Sequence, residues 1–290
     1  MKAYQFGFTC ILALTLSSLS GCITTGFGVS TSVEQLSQKA KDGDANAQYR
    51  LGLRYTSGSG VNQNYQTATV WFNKAAEANH AAAQYMAGIN YNTGRGVAQN
   101  HIKAVGLFTK AADQGHSKSQ HQLADSYANA RGVKKDLPWA ARYFEKSARQ
   151  GHAPAMLSFG VIRGIGSGVS KDLSDAWVWL SLAEREKISG AAKLRAHIEK
   201  KLSTSDLQMA RKHAAVWTPQ KDDGLADAST VRYVQYQLNR AGINVGIEDG
   251  IWGSKTQLGI ARYIKSKGLE LSADAITQDL LTSLRTKAIK

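Results

Sequence analysis

A 36-residue period runs through the middle of this 290-residue chain and constrains its fold more than any other feature. The dipeptide Gly-Val recurs four times at this spacing, beginning at Gly60, Gly96, Gly132 and Gly168. Other positions recur in register with it, including Ala68, Ala104, Ala140 and Ala176. A period of this length is typical of proteins in which one supersecondary unit stacks on the next.

Each unit is predicted to contain two helices. Apolar residues lie four apart in the first half of a unit and follow the i, i+3, i+4, i+7 pattern in the second half. In the first unit these residues are Ala47, Leu51 and Tyr55, then Ala68, Trp71, Phe72 and Ala75. Glycines in the connection suit a left-handed helix end. Asn or Asp before the second helix suits an N-cap, at Asn64, Asn100, Asp136 and Asp172.

This pattern resembles the Sel-1-like repeat, a relative of the tetratricopeptide repeat, over residues 33–217. The resemblance implies an all-α fold, an α/α superhelical solenoid with four full repeats and a cap at each end. A single helix pair cannot bury its apolar face, so the units must stack. Proteins of this family are scaffolds that hold other proteins on their inner surface, which implies a protein partner.

One repeat departs from the others at two positions of its first helix. His121 stands where other units have Tyr49 and Tyr85, and Asp125 stands where they have aliphatic residues. His121 and Asp125 lie four apart and can form a pair on one helix face. The pair is either solvated or a polar hot spot for the partner; a catalytic dyad would need a nucleophile beside it. We take these four residues as candidate partner-binding positions.

No metal or cofactor is predicted. His80, His116 and His152 share the 36-residue spacing, but equivalent positions in stacked helices lie at least ~8–10 Å apart. Zinc needs ligands ~2 Å from one centre, so we expect surface or turn histidines. The glycine loops lack the preceding strand and the following Lys-Ser/Thr of a phosphate-binding loop.

The amino terminus has the pattern of a secretory signal. Lys2 precedes a short apolar run, and the run ends at Leu19-Ser20-Gly21-Cys22. These last residues resemble the lipobox of bacterial lipoproteins, which implies a signal peptide over 1–21, lipid attachment at Cys22 and a tether over 22–32. Ordinary signal cleavage beside an incidental cysteine is the alternative. Ile23 follows the cysteine where an inner-membrane signal would have Asp, which favours an outer-membrane lipoprotein facing the periplasm.

The chain has 36 Lys plus Arg against 22 Asp plus Glu, a net charge of +14. Such an excess suits contact with anionic envelope surfaces. A nucleic-acid partner is not expected for an exported protein. The two cysteines both lie within the first 22 residues, which excludes a disulfide-stapled fold.

Residues 218–229 are predicted to be a linker, and residues 230–290 a small domain of three helices. The string Asp249-Gly250-Ile251-Trp252-Gly253, with Gln235 before it and Tyr263 after it, resembles the peptidoglycan-binding-like module. That family usually has Phe at both aromatic positions and Gln where Ile264 stands. The resemblance implies peptidoglycan contacts by Gln235, Asp249, Trp252 and Tyr263. Asp249 could instead only form the turn, and the two aromatic residues could belong to the core.

Catalysis is not expected. No cysteine follows Cys22 and no histidine follows His213, which removes the nucleophile or metal ligands of enzymes that often carry this module. The predicted function is a non-catalytic envelope adaptor that binds a protein through its repeats and peptidoglycan through its tail. The alternative is a carbohydrate-binding lipoprotein that assists exopolysaccharide export or wall remodelling.

Overall fold

The computed structural model describes residues 32–220 and 227–287, and its regular elements in those ranges are all α-helices. The predicted signal peptide, Cys22 and part of the predicted linker lie outside the described residues. The all-α prediction is confirmed. The first eleven helices are α1 (Val33–Lys41), α2 (Ala45–Ser57), α3 (Tyr65–Glu77), α4 (Ala81–Thr93), α5 (His101–Asp113), α6 (Ser117–Asn129), α7 (Leu137–Arg149), α8 (Ala153–Ile165), α9 (Leu173–Arg185), α10 (Ala191–Glu199) and α11 (Thr204–Val216).

Helices α2 to α9 are the four helix pairs that the 36-residue period predicts. We call α2, α4, α6 and α8 the A helices, and α3, α5, α7 and α9 the B helices. The predicted caps of the B helices are confirmed: Asn64 Oδ1, for example, accepts a hydrogen bond of 2.9 Å from the Thr67 backbone N–H. Helix α2 ends at Gly58, whose φ of 76° is in the left-handed region. Histidines cap two of the A helices, α4 and α6: His80 Nδ1 accepts from the Ala83 N–H at 3.2 Å and His116 Nδ1 from the Ser119 N–H at 3.3 Å.

Glycines hold adjacent helices at close distance. A Cβ atom added at Gly88 on α4 would lie 2.5 Å from Cε1 of Phe108, which fills the space above it on α5. A Cβ at Gly132 would lie 2.3 Å from the carbonyl oxygen of His101 in the preceding repeat. The first contact joins the two helices of one repeat, and the second joins neighbouring repeats. The 36-residue period in the sequence therefore corresponds to contacts that recur from repeat to repeat.

A helix precedes the four pairs and two follow them. Helix α1 packs against α2 through Leu36, which is buried with Leu51. Helices α10 and α11 both pack against α9. Beyond α11, the Trp217 ring meets the edge of Trp179, with 5.9 Å between ring centroids. These helices cover the two ends of the stack, as terminal units must in a repeat protein.

The carboxy-terminal module consists of α12 (Ala228–Arg240), α13 (Ser254–Lys267) and α14 (Gln278–Lys287). Helix α12 begins within the segment predicted to be a linker. Asp227 caps it by accepting a hydrogen bond of 2.9 Å from the Thr230 backbone N–H. The core of the module is formed by Leu238, Ile260, Tyr263 and Leu280, all almost fully buried.

The module does not extend away from the solenoid, as a tail on a free linker would. Helix α12 packs against α7, and the Tyr233 ring meets the edge of Trp139 at a centroid distance of 5.0 Å. Ten consecutive residues of α7, from Trp139 to Ala148, are buried, whereas α5 buries only the four positions that pack inside the solenoid. Even the start of the linker is held, because the Gln220 N–H donates to the Arg149 carbonyl at 2.7 Å.

Charged side chains are buried in this contact. Lys146 Nζ lies 2.8 Å from Asp227 Oδ2, and their side chains are 8% and 10% exposed. Arg142 Nε donates to Thr230 Oγ1 at 2.9 Å. Burial alone would raise the pKa of Asp227, but Lys146, Ser229 and Arg142 together outweigh it, and the pKa is lowered. The carboxylate of Asp227 therefore stays charged in this buried contact, and Lys146 is its closest cationic partner.

Two arginines of the module reach back to acids of the solenoid. Arg232 Nη1 lies 3.3 Å from Asp175 and 3.7 Å from Glu145, whose side chain is 1% exposed. Arg285 Nε lies 2.9 Å from Asp136 Oδ2, at the start of α7. A buried charge that loses its partner is strongly destabilising, so these pairs set one register for the docked module.

Comparison of the repeats reveals the sequence signal for this docking. Arg142 occupies the position of Gly106 in α5 and of Val70 in α3, which is 52% exposed. Glu145 occupies the position of Thr109. Helix α7 therefore has two charged residues, Arg142 and Glu145, at positions where α3 and α5 have uncharged ones. This departure from the repeat pattern identifies α7 as the helix that the carboxy-terminal module covers.

We predict that Lys146→Ala lowers the free energy of unfolding by about 3 kcal/mol, because Asp227 and its neighbours lose their buried counter-charge. Urea denaturation of the full chain measures the change. Lys110→Ala is the matched control, since Lys110 has the same repeat position on α5 and is exposed. Its expected effect is within about 0.5 kcal/mol.

The same ion pair predicts a pH dependence. A carboxylate whose pKa is lowered in the folded state stabilises the fold above its ordinary pKa of about 4 and loses that contribution as the pH falls through the folded pKa. The stability of Lys146→Ala should therefore fall less steeply below about pH 4 than that of the native chain. Equal losses for Lys146→Ala and Lys110→Ala would contradict the ion-pair interpretation.

Candidate protein-interaction face

A stripe of half-buried side chains runs across the four A helices. Each A helix contributes two residues one turn apart, and the eight positions recur at the 36-residue spacing. All eight are partly accessible to solvent. We call them the A-helix stripe: Tyr49, Leu53, Tyr85, Ile89, His121, Asp125, Leu157 and Val161. The four candidate partner-binding residues of the sequence analysis all lie in it.

The aromatic members of the stripe are held by the histidine caps of the next repeat. Tyr49 stacks on His80 with 4.8 Å between ring centroids, and Tyr85 lies 5.2 Å from His116. His121 meets the edge of His152 at 5.2 Å. The expectation that the recurring histidines occupy turns is thus met, and each also fixes the orientation of a stripe residue.

The pKa values of His116, His121 and His152 are all lowered, so these three side chains are neutral at physiological pH. Burial, followed by the nearby His121, Lys118 and His116, lowers the pKa of His152 to about 4. Burial also lowers the pKa of His121, although Asp125 opposes the shift. The stack therefore behaves as an aromatic surface rather than as a charged one. Among the described residues, no group of three or more His, Cys, Asp or Glu side chains could hold a metal ion.

Asp125 is the acidic residue among the eight members of the A-helix stripe. It forms an ion pair with Arg131, and Asn129 Nδ2 donates to its Oδ1 at 2.8 Å. His121 instead contacts the ring of Phe144, at 5.5 Å between centroids. The two side chains expected to pair thus have different partners, because the loop after α6 brings an arginine to the carboxylate.

The four candidate peptidoglycan residues do not form one exposed surface. Gln235 is 2% exposed, and its Nε2 donates to Asp249 Oδ1 at 2.8 Å while its Oε1 accepts from the Gly250 N–H at 2.9 Å. Its amide holds the Asp249 turn together. The expectation that Gln235 contacts glycan is corrected accordingly, since its hydrogen-bonding groups are used inside the module.

Tyr263 is likewise a core residue. Its side chain is 2% exposed, and its hydroxyl donates to the Ser283 carbonyl at 3.1 Å. Of the two alternatives for Tyr263, a core position or a face presented to sugar rings, the structure agrees with the core position. Trp252 is half-buried against the module core, whereas Asp249 is exposed. Asp249 and Trp252 are therefore the two of the four residues that reach the surface.

Membrane-spanning helices are not found in the part of the chain that the structure describes, since none there is both long and apolar enough.

Comparison with known proteins identifies the repeats. Residues 45–80, 81–116, 117–152 and 153–186 each match the family model of the Sel1 repeat. A Sel1 repeat protein from Oxalobacter formigenes is similar in structure, with a TM-score of 0.55 and 28% sequence identity over 66% of this chain and 76% of that chain. A protective antigen of uropathogenic Escherichia coli that displays an SLR fold is 24% identical, with a TM-score of 0.45 over 84% of this chain and 52% of that chain.

No curated protein matches the chain significantly. The match in each of the four units agrees with the 36-residue period and with the helix pairs of the structure. Residues 45–186 of this chain are therefore a solenoid of four Sel1 repeats.

Proposed function

We propose that the protein is a non-catalytic scaffold of the bacterial cell envelope that binds a protein partner through the A-helix stripe. The observation that carries this proposal is the division of the solenoid into two faces. The module covers α7 on the B side, whereas the stripe on the A side remains partly accessible in all four repeats. Sel1 repeats typically serve as scaffolds for protein interactions, which supports the same role here.

The stripe has the composition of a binding surface. Aromatic residues are enriched at protein interfaces because they bury a large area with few rotatable bonds. Tyr49 and Tyr85 are further restrained by the histidines behind them. Asp125 and Arg131 provide a charged point among apolar neighbours, and charges at an interface fix register and discriminate against wrong partners.

The proposed location follows from the amino terminus. A lipid on Cys22 would hold the solenoid near the membrane, since only about ten residues separate this cysteine from α1. Several acyl chains bind a membrane far more firmly than one. Ile23 favours the outer membrane, with the solenoid in the periplasm, and the net charge of +14 suits the anionic surfaces there.

The carboxy-terminal module is proposed to bind peptidoglycan. The exposed Asp249 and the half-exposed Trp252 support this role. The alternative function, a carbohydrate-binding lipoprotein that assists polysaccharide export or wall remodelling, differs in one respect. It requires the solenoid itself to bind glycan.

The stripe is tested by giving the third repeat the residues of its neighbours, His121→Tyr with Asp125→Leu. These residues occur at equivalent positions of the first repeat, so the fold should be kept. A photoreactive amino acid at Tyr85 captures the partner in cells, and the adduct is quantified. We expect about tenfold less adduct in the double variant, because one charged interaction is lost. A photoreactive residue at the exposed Lys134 is the negative control, and an unchanged adduct would contradict the proposed role of the two residues.

The lipid anchor is tested with the two cysteines of the chain. Cys22→Ser should abolish incorporation of labelled fatty acid and release the protein from the membrane fraction, because the acceptor thiol is lost. Cys10→Ser should leave both unchanged. Membrane association of Cys22→Ser equal to that of the native protein would show that Cys22 is not the anchor.

Wall binding is tested by co-sedimentation with purified sacculi. The mature full-length protein should sediment with them, and a chain ending at Trp217 should not, while circular dichroism reports whether the shortened chain keeps its helices. Equal sedimentation of a folded shortened chain would favour the alternative function, in which the solenoid binds glycan.

A further inference from the structure

A cleft of about 690 Å³ lies where the module meets the end of the solenoid. The solenoid lines one side with Lys171, His213 and Trp217, and the module lines the other with Glu248 and Asp249. The volume is within the range of ordinary small-molecule sites, which is roughly 300–1,000 Å³. We call this space the C-terminal cleft.

Its two walls are joined by hydrogen bonds and an ion pair. Glu248 Oε2 accepts from the backbone N–H of Ser170 at 3.2 Å, just before α9. Arg232 donates to the carbonyl oxygen of Asp249 at 3.3 Å and forms its ion pair with Asp175 at the same distance. The arginine thus bridges the module turn and the solenoid, so the cleft is part of the docked structure.

The side chains of the cleft combine three kinds of contact. Trp217 is half-buried, packs against Trp179 in a T-shaped arrangement and supplies an aromatic ring to the wall. Glu248 and Asp249 supply carboxylate oxygens that accept hydrogen bonds from hydroxyl or amide groups. Lys171 and His213 supply donors for an anionic group on the ligand.

The basic side chains of the cleft differ in whether they already form ion pairs within the protein. Arg163 is occupied by Asp172 and Asp175, at 2.9 and 2.7 Å. Within the described ranges, Lys171 and His213 have no ion-pair partner, and both are exposed. The unpaired charge of Lys171 therefore lies on the solenoid side, opposite the carboxylates of the module.

We propose that the C-terminal cleft binds an acidic saccharide, meaning a glycan that carries a carboxylate on a sugar or on a group attached to the sugar. The ring of Trp217 would contact the apolar face of the sugar, Asp249 and Glu248 its hydroxyl or amide groups, and Lys171 the carboxylate. Recognition of the glycan then belongs to the module and the solenoid together. This inference rests on the proposed wall binding, and it adds the location of the binding site and the chemical class of the ligand.

The burial of Gln235 and Tyr263 supports a shared site. With both residues used inside the module, its own surface retains Asp249 and Trp252 from the candidate set. Asp249 lines the C-terminal cleft. In this cleft the solenoid supplies an aromatic side chain, Trp217, and a cationic one, Lys171, beside the exposed carboxylate of Asp249.

The test uses the mature full-length protein and sacculi. Lys171→Glu and Trp217→Ala should each weaken co-sedimentation by about tenfold, the loss expected when one charged contact or one aromatic contact is removed. Lys193→Glu makes the same charge change at an exposed position of α10 outside the cleft and should leave sedimentation unchanged. Lys171 is exposed, so its variant reports on binding even if Trp217→Ala disturbs the fold.

The chemistry of the ligand is tested by calorimetry with two disaccharides of similar size. N-acetylglucosaminyl-N-acetylmuramic acid carries a carboxylate, and di-N-acetylchitobiose does not. We expect the first to bind about tenfold more tightly, and Lys171→Glu to remove the difference. Equal affinities of the native protein for both would overturn the acidic-saccharide proposal.

The outcomes separate the two proposals. Sedimentation of the native protein and all three variants to the same extent would refute the cleft and leave wall binding intact. Failure of the native protein to sediment would refute wall binding itself. Loss with Lys171→Glu and Trp217→Ala, but not with Lys193→Glu, supports both.

Discussion

The close approach of helices at small residues is the contact on which the rest of the structure depends. Gly88 has no room for a side chain because Phe108 lies against it, and Gly132 rests on the backbone of the preceding repeat. Each repeat is thereby placed at a defined distance from the next, since packed interiors do not adjust freely to added volume. This spacing puts Tyr49 beside His80 and Tyr85 beside His116, so the A-helix stripe is a product of the same stacking.

Docking of the module makes the two sides of the solenoid different, because it covers the B side around α7 and leaves the A side accessible. The B side around α7 buries Lys146 and Glu145 against the module, and the A side keeps a half-exposed row of aromatic and aliphatic residues. Buried ion pairs contribute less to stability than hydrophobic packing of equal volume, but a broken pair is costly. The pairs therefore favour one arrangement of the module, the arrangement that also forms the C-terminal cleft.

The proposed roles share the solenoid without competing for the same surface. A protein partner would lie along the A helices, a saccharide at the end of the stack, and a lipid before α1. Such a division lets one chain connect a membrane, a wall polymer and a protein at the same time. Tethered sites of this kind raise one another's effective concentration, so modest affinity at each can suffice.

Local sequence determined the helices, their caps and their order. The residues before each B helix and the glycines that end α2, α4 and α8 act over a few neighbours, and the 36-residue period made them recognisable before the structure. The ion-pair partner of Asp125 depends on the position of Arg131 in the loop after α6. The burial of Gln235 and Tyr263 depends on how the three helices of the module pack together. The docking of the module joins Arg142 to Thr230 and Asp136 to Arg285, pairs separated by long stretches of chain. Only the tertiary structure decides such contacts, because their energies depend on burial and mutual position, and neither is a property of a short segment.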